Sequence, residues 1–369
     1  MHRRNFLKGS SAAAFVAGTV AMAANAAKAA DDANALAAPA IVPQRRTLRL
    51  VSLWPDAVTG PADHIHRLVR RIEAATDGHW TMEIDETTAG RTDPFKAVMT
   101  GDADVYLGHE HAHRELNPAF SYFAGLPCGT GMDIDHMNAW LMAAGGQELW
   151  DELTAQFNMK GLVIGHSVPI RGLVTRQPIR TRADFRGKRM AVTGLAADVL
   201  KAIDAIPVEL DRPSLATLIE DTSLGGIELY DPTIALPGWQ SARLNAIAPH
   251  HMLPGLSETG HAITLGLRRS FWDGLASSER IMLSALASEA FITSRADALA
   301  LARARDQMSD AAIGTNDHKR PPHWNIVANE LSRIAAAIVA DLSGYDTHSS
   351  RINASYMAFK GHPHVPASV

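Results

Sequence analysis

The chain has 369 residues, of which 46% are hydrophobic and 20% are charged. A chain of this size can bury a large core, and it usually does so in two lobes. The net charge of −4 shows no basic surplus, so we exclude nucleic acid as an expected partner. Cys128 is the single cysteine, which excludes an intrachain disulfide, and its surroundings lack the pattern of a catalytic thiol.

The first residues have the pattern of an export signal. Residues 1–29 combine a basic start, an alanine-rich apolar stretch too weak for a membrane span, and an A-x-A cleavage site. The run "RRNFLK" indicates the twin-arginine route, with an ordinary secretory signal as the alternative. We therefore predict a periplasmic protein that begins near Ala30 and opens with a flexible lead-in over 30–46.

The next part of the chain alternates between strand and helix patterns. The segments "TLRLVSLWP", "WTMEIDE" and "DVYLGH" have the composition of strands, and segments with helical spacing separate them. This order is typical of a parallel sheet with helices on its faces. We predict a first α/β lobe over 47–160, which includes a helical stretch interrupted by Gly145 and Gly146.

The middle of the chain repeats the same order. The segments "KGLVIGHSV" and "RGLVTRQPI" predict two strands or a hairpin, and further strand–helix units follow, with one strand at Met190–Thr193. We predict a second α/β lobe over most of 161–260. The segment "AITLGLRRSFW" then predicts a strand that returns to the first lobe, and the chain is mainly helical from Ser277. Residues 261–369 therefore complete the first lobe and add C-terminal helices.

Two α/β lobes leave a cleft between them, and ligands of such folds bind at the carboxyl ends of the strands. The sequence contains neither a catalytic motif nor a phosphate-binding loop. We therefore predict an exported solute receptor that closes around a solute by a hinge motion, and not an enzyme. The alternative interpretation is an enzyme on the same scaffold. Such an enzyme would need an acid–base pair, which the sequence does not indicate.

Seven segments are similar, in order and spacing, to the substrate-binding proteins of tripartite ATP-independent periplasmic (TRAP) transporters. They run from about Thr47 to about Gly361: "VSLWPD", "DADVYLGHEHA", "NPAFSYFAGLPCG", "NAWLMAAGGQELWDELTAQFNMKGL", "RADFRGKRMAVTG", "VLKAIDAIPVEL" and "RRSFWDGLASSER". The resemblance is strongest to the branch that binds 2-oxo acids. It implies the two-lobed periplasmic binding protein fold, a long helix that braces both lobes, delivery of the solute to permease subunits in the membrane, and a homodimer through the C-terminal helices.

The resemblance also implies a particular anion site, and this chain departs from it. The family has an arginine directly after the Met of "FRGKRM", where it forms a bidentate pair with the solute carboxylate. Ala191 occupies that position here. The 2-oxo acid branch has a Gln where this chain has Ile170 and a Trp where it has Leu229, whereas Glu258 matches a Glu of the family. In that branch these three hold a cation beside the solute, so two replacements weigh against a cation, and we predict no cofactor.

Six side chains are our candidates for binding the solute: Arg171, Tyr230, Glu228, Glu258, His166 and His109. Arg171 is the first candidate to replace the missing cation, with an exposed arginine at a strand end as the alternative. Arg189 shares a strand face with Ala191 by alternation, but a surface cation is the more common interpretation of its setting. Glu228 and Tyr230 flank Leu229 at a predicted strand end.

Histidines raise the question of a metal. His109, His111 and His113 would share one face of an extended segment, which could bind a metal ion. The family often has a histidine at the first of these positions, so we predict no metal site. The histidines His166, His250, His251 and His261 are scattered in the sequence without a known spatial relation. A receptor for a metal or for a cationic or neutral solute, and an accessory sensor protein on the same scaffold, remain the alternatives.

Overall fold

The computed structural model describes residues 45–53, 61–85, 93–167, 169–209, 220–230, 246–252, 255–257, 261–312 and 323–361. The chain separates into the units Met1–Arg45 and Arg46–Val369, and every element below belongs to the second unit. The predicted signal and most of the lead-in lie outside the described residues. Within the described ranges, no helix is both long and apolar enough to cross a membrane.

The strands of the described chain form two sheets. The first sheet contains β1 (Arg46–Ser52), β2 (Trp80–Asp85), β3 (Val105–Gly108), β4 (Met159–Ser167) and β10 (His261–Arg268). The second contains β5 (Pro169–Thr175), β6 (Arg189–Val192), β7 (Ile206–Glu209), β8 (Leu224–Tyr230) and β9 (His250–Met252). Each sheet is the centre of one α/β lobe, which confirms the predicted fold class.

Ten helices surround these sheets in the described chain. They are α1 (Pro61–Ala75), α2 (Pro94–Thr100), α3 (Phe120–Ala124), α4 (Ile134–Ala143), α5 (Gly146–Ala155), α6 (Leu195–Lys201), α7 (Arg269–Asp273), α8 (Ser277–Ala312), α9 (Trp324–Ser343) and α10 (Thr347–Gly361). The predicted helical C-terminal region therefore corresponds to α8, α9 and α10.

The first sheet has the strand order β2-β1-β3-β10-β4. Strand β1 is parallel to β2 and β3, whereas β10 is antiparallel to both β3 and β4. One face packs against α1 and α8, with Ile65 and Leu283 in the shared core. The other packs against α2 to α5 and α10, and the large aromatic rings of this core include Phe95, Trp150 and Tyr356.

The second sheet has the strand order β7-β6-β8-β5-β9. Strand β6 is parallel to β7 and β8, and β5 is antiparallel to β8 and β9. Met190 and Val192 of β6 pack with α6 and α9 on one face, because alternate residues of a strand face the same side. Ala191 therefore faces the opposite side of this sheet.

The segments that the sequence presented as two strands or a hairpin belong to different sheets. Strand β4 pairs with β10, and β5 pairs with β8 and β9, so the hairpin alternative is wrong. The first sheet includes β4 through Ser167, whereas the predicted first lobe ended at residue 160. Local pattern cannot distinguish these arrangements, since both segments have the same composition and only their partners differ.

Helix α9 packs against both lobes. Its first half contributes Trp324 and Leu331 to the core of the second sheet, and Val339 in its second half joins the core of the first. The helix is 20 residues long, and at about 1.5 Å per residue it has the reach to do so. It is thus the bracing helix that the resemblance implied.

Local chemistry sets the bounds of α2, which supports β3. The Asp93 carboxylate caps the helix by accepting from the backbone N–H groups of Phe95 and Lys96 at 3.1 and 3.2 Å, and Pro94 occupies the first turn. The helix ends at Gly101, whose φ of 89° is left-handed and favours glycine. The cap orients Phe95 into the core beneath the end of β3.

Candidate functional site

Three histidines lie at one edge of the first sheet. His109 follows β3, His166 lies near the end of β4, and His261 opens β10. Because β10 lies antiparallel between β3 and β4, its first residue reaches the edge at which the other two strands end. The ring centroids of His109 and His261 are 6.1 Å apart. The Cα partner of His166 is Ala262, the neighbour of His261.

These histidines differ in exposure. His166 and His261 are buried, with 7% and 5% of their surface exposed, whereas His109 is half-buried. The edge is formed by the carboxyl ends of β1, β3 and β4, which is where α/β folds bind ligands. Two of the six predicted site residues, His109 and His166, are therefore brought to the same edge.

A fully buried glutamate follows His109. The Tyr106 hydroxyl donates to Glu110 Oε1 at 2.5 Å, and the Trp150 indole N–H donates to Oε2 at 3.4 Å. Burial raises the pKa of Glu110 to about 7, although these hydrogen bonds lower it. The Tyr106 ring lies against Gly266 of β10, where a Cβ atom would come within 1.5 Å of Tyr106 Cε1. This network fixes the turn that presents His109.

The position of the family arginine is apolar in the second sheet. Ala191 is fully buried and packs with Val174, Leu224, Ile227 and Ala248. Its Cα partners on the neighbouring strands are Ile227 and, on β7, a valine. None of these side chains can donate a hydrogen bond, so this cluster offers no replacement for the missing guanidinium.

Glu228 is fully buried and contacts the chain segment that returns to the first sheet. Its Oε1 accepts from the backbone N–H of Ser257 at 3.0 Å. Gly255 lies so close that a Cβ atom there would come 2.1 Å from the same oxygen. The Leu256 carbonyl accepts from the backbone N–H of Cys128 at 2.6 Å. In this conformation the Glu228 carboxylate holds residues 255–257, and its predicted contact with a solute remains a prediction.

The structure leaves the other predicted residues untested. Strands β5 and β8 contain Arg171 and Tyr230, but the side chains of both lie outside the described residues. Glu258 lies entirely outside them.

Two arginines near β6 have structural partners. Arg189 Nη1 lies 3.0 Å from Asp221 Oδ2, and Arg176 donates to the backbone carbonyls of Leu224 and Asp221 at 2.7 and 2.8 Å. These contacts stabilise the turn before β8, at the amino end of β6. Arg189 therefore pairs with Asp221 and does not replace the arginine missing at Ala191. This agrees with its interpretation as a surface cation.

An ion pair connects the two lobes. Arg114, which lies just after the turn that carries His109, donates from Nη1 to Asp198 Oδ2 in the first turns of α6. Helix α6 begins directly after β6, so this contact crosses from the first lobe to the second. About a quarter of each side chain is exposed, 27% and 28%. This pair could not be predicted from the sequence, because its partners belong to different lobes and lie 84 residues apart.

The three histidines of "HEHAH" could share one face only in an extended segment. Glu110–His113 instead form a 3-10 turn, so that condition for a metal site is not met. The His113 ring packs on Phe95, with centroids 4.0 Å apart, and burial lowers the pKa of His113 to about 3. Among the described residues, no group of three or more His, Cys, Asp or Glu side chains is placed to hold a metal ion.

Two α/β lobes around a polar sheet edge, braced by one helix, define the class of bilobal solute-binding proteins. Residues 62–313 match the DctP family, described as bacterial extracellular solute-binding protein, family 7. This match covers more than half of the chain, so the chain belongs to that family. The family consists of solute-binding receptors, which agrees with the prediction made from the motifs.

Three known proteins show how far the similarity extends. The monocarboxylate 2-oxoacid-binding periplasmic protein of Nostoc sp. (strain PCC 7120) is 22% identical over 251 residues, which are 66% of each chain and thus just under two thirds of that relative. A TRAP periplasmic solute-binding protein of Pseudoalteromonas atlantica, solved with bound sodium and pyruvate, has a TM-score of 0.75 at 19% identity. The superposition covers 86% of this chain and 94% of the other.

The third is a TRAP solute-binding protein of Bordetella bronchiseptica, solved as a mixed-occupancy dimer with copurified calcium and picolinate in one site and the other site empty. Its TM-score is 0.70 at 20% identity, over 86% of this chain and 92% of that one. At these identities the two crystal structures establish the shared fold. What the relatives bind bears on this chain only as a proposal.

The sequence analysis assigned no role at this site to three residues of this region. His261, Glu110 and Arg114 are placed by strand order and by contacts between lobes. The signal that could have found His261 is its position at the start of the apolar run "AITLGL", which marks it as a polar residue at a strand end. Neither the direction of that strand nor its neighbours can be read from the run itself.

Proposed function

We propose that this protein is the periplasmic substrate-binding subunit of a TRAP transporter and that it captures a small carboxylate, with a 2-oxo acid as the first choice. The solute enters the cleft, the lobes close by a hinge, and the protein delivers the solute to the permease subunits in the membrane. The observation that carries the proposal is the family match over 62–313, which includes strands of both sheets.

The ligands of the related proteins support a carboxylate. The Nostoc relative is named for monocarboxylate 2-oxo acids, and the two solved proteins hold pyruvate and picolinate. All of these ligands present a carboxylate group. The loss of the family arginine at Ala191 weakens the argument by analogy, so a cationic or neutral solute is the alternative that the experiment must separate.

We propose the six predicted residues as contacts of the solute: Arg171, Tyr230, Glu228, Glu258, His166 and His109. Position supports five of them, since β4, β5 and β8 have ends at the junction between the two sheets, and His109 follows β3. Glu258 rests on its match to a Glu of the family. Arg171 remains the first candidate for the cation that Ala191 cannot supply.

We further propose a homodimer through the C-terminal helices. Helix α8 carries an exposed apolar stripe, formed by Ile281, Ile292 and Leu299, which are 69%, 66% and 58% exposed. Their spacings of 11 and 7 residues are close to three and two helical turns, so they share one face. A second copy can cover this stripe symmetrically, and the Bordetella relative is described as a dimer.

The proposed route to the periplasm is twin-arginine export. Its support is the sequence of residues 1–29, with Arg3 and Arg4 before an apolar stretch. The family description, extracellular solute-binding protein, agrees with a location outside the cytoplasm.

A thermal-shift screen of the mature chain tests the proposed solute class. Its panel contains pyruvate, larger 2-oxo acids, pyroglutamate, picolinate, amines and divalent metal ions. A ligand at 100 times its dissociation constant adds about 2.7 kcal/mol to stability, which is an easily measured shift. We expect a carboxylate to raise the Tm and Arg171→Ala to reduce the effect. If amines or metals alone raise it, the carboxylate proposal is wrong.

A further inference from the structure

We propose that the first lobe supplies anion-binding groups of this receptor, and that His261 is a solute-binding residue that acts together with His109. This inference rests on the proposed capture of a carboxylate. It places anion-binding groups on the first lobe, where they act beside the candidate Arg171 of the second lobe.

The first argument is the chemistry of the two walls. In the second sheet, Ala191 is surrounded by aliphatic side chains, and Arg189 is engaged with Asp221. A carboxylate placed against Ala191 would lose hydration without gaining a hydrogen bond from that side chain or its aliphatic neighbours. An anion therefore gains nothing from that side chain.

The second argument is the geometry of the first sheet. The rings of His109 and His261 have centroids 6.1 Å apart and an interplanar angle of 48°. Two imidazoles at this separation can each direct one N–H towards the two oxygens of one carboxylate, as the two N–H groups of a guanidinium do.

The third argument is how the two rings are held. His261 begins β10, and the register of β10 with β3 and β4 fixes its backbone at the edge of the sheet. The buried network of Tyr106, Glu110 and Trp150 fixes the turn that begins with His109. Side chains on rigid elements keep the precise geometry that a binding site requires. Burial of His261 strengthens a hydrogen bond to an anion, because the local dielectric constant is low.

Isothermal titration calorimetry of the mature full chain with pyruvate and with pyroglutamate tests whether His261 and His109 bind the solute. The variants are His261→Gln and His109→Gln, each of which retains an N–H donor but loses the imidazole ring. His136→Gln is the matched control, since His136 lies in the first turn of α4 and pairs with Asp133, the residue that caps this helix. We expect at least a tenfold loss of affinity in the first two variants and no change in the control.

A second measurement separates binding from folding. In ¹⁵N-labelled wild-type protein, the imidazole signals of His261 and His109 should shift on addition of the bound carboxylate, whereas those of His136 should not. This readout does not depend on a variant that folds. Unshifted His261 signals at saturation, or wild-type affinity in His261→Gln, overturn the assignment alone. If the wild-type chain binds neither carboxylate, the proposed function fails and the inference fails with it.

Discussion

Glu110 is a carboxyl group that folding moves into the core, and its titration is therefore coupled to stability. Burial raises its pKa to about 7 from an ordinary value of 4.5. Between these values the folded protein binds more protons at this site than the unfolded chain does. The contribution of Glu110 to stability therefore falls as the pH rises from 4.5 to 7, and it is constant above and below that window.

Glu110→Gln removes this titration while keeping the shape of the side chain. We expect the free energy of unfolding of the wild type, minus that of the variant, to be larger at pH 5 than at pH 7.5, by up to about 3 kcal/mol. Urea unfolding at the two pH values measures the difference, and the other titrating groups cancel in it. Parallel pH profiles of the two proteins would show that Glu110 does not titrate in this range.

Gly255 lies in close contact with Glu228, and the packing leaves no room for a side chain at this position. A Cβ atom there would lie 2.1 Å from Glu228 Oε1 and 2.9 Å from the Cα of Gly172. We expect Gly255→Ala to lower the free energy of unfolding by about 1–3 kcal/mol, because overpacking displaces the buried carboxylate or the backbone. Gly361→Ala is the control, since a Cβ atom there meets nothing within 4 Å. Equal stability of both variants would contradict this account of the segment.

At the scale of elements, we predict from the exposed apolar stripe of α8 that the protein forms a homodimer. We expect the mature wild type to elute as a dimer, and Ile292→Glu, at the centre of the stripe, to elute as a monomer, because a charge opposite its own symmetry mate is costly. Size-exclusion chromatography with light scattering measures the mass. Ile326→Glu on α9 is the control, since Ile326 is equally exposed at 66% but lies on another helix. A wild type that is monomeric at all concentrations would disprove the dimer.

Most elements could be predicted from the sequence. Strands β1, β2 and β3 and helix α1 follow from alternation and helical spacing, and the strand predicted at Met190–Thr193 corresponds to β6, one residue earlier in the chain. The sequence could not resolve whether β4 and β5 form a hairpin, because two adjacent apolar segments fit a hairpin and two separate sheets equally well. The choice depends on which partner strands are available, and those lie far away in the chain.

At the scale of the whole molecule, the pair of Arg114 and Asp198 joins the lobes in the arrangement observed here. A partly exposed ion pair contributes about 0.2–1 kcal/mol, which changes the population of a closed form by up to about fivefold. We expect Arg114→Gln to increase the radius of gyration of the unliganded protein in small-angle X-ray scattering.

The control for this prediction is an ion pair inside one lobe. Arg351 of α10 pairs with Glu152 of α5, and both helices pack on the first sheet. Arg351→Gln should leave the radius of gyration unchanged. Asp198 also pairs with Lys201 in its own helix, so a double-mutant cycle with Asp198→Asn is needed to isolate the contact between lobes. A radius that does not change in Arg114→Gln would show that the pair does not hold the lobes together.

The sequence by itself determined the α/β class, the family and the replacement of the family arginine by Ala191, because these depend on local patterns and on residue identity at one position. It also named His109 and His166 as candidates for the site, but it did not place them together. Only the tertiary structure decided that His261 lies beside His109, since β10 enters the sheet antiparallel and more than 90 residues separate it from β4. Strand direction and partner choice arise from burial over the whole chain, and no short segment encodes them.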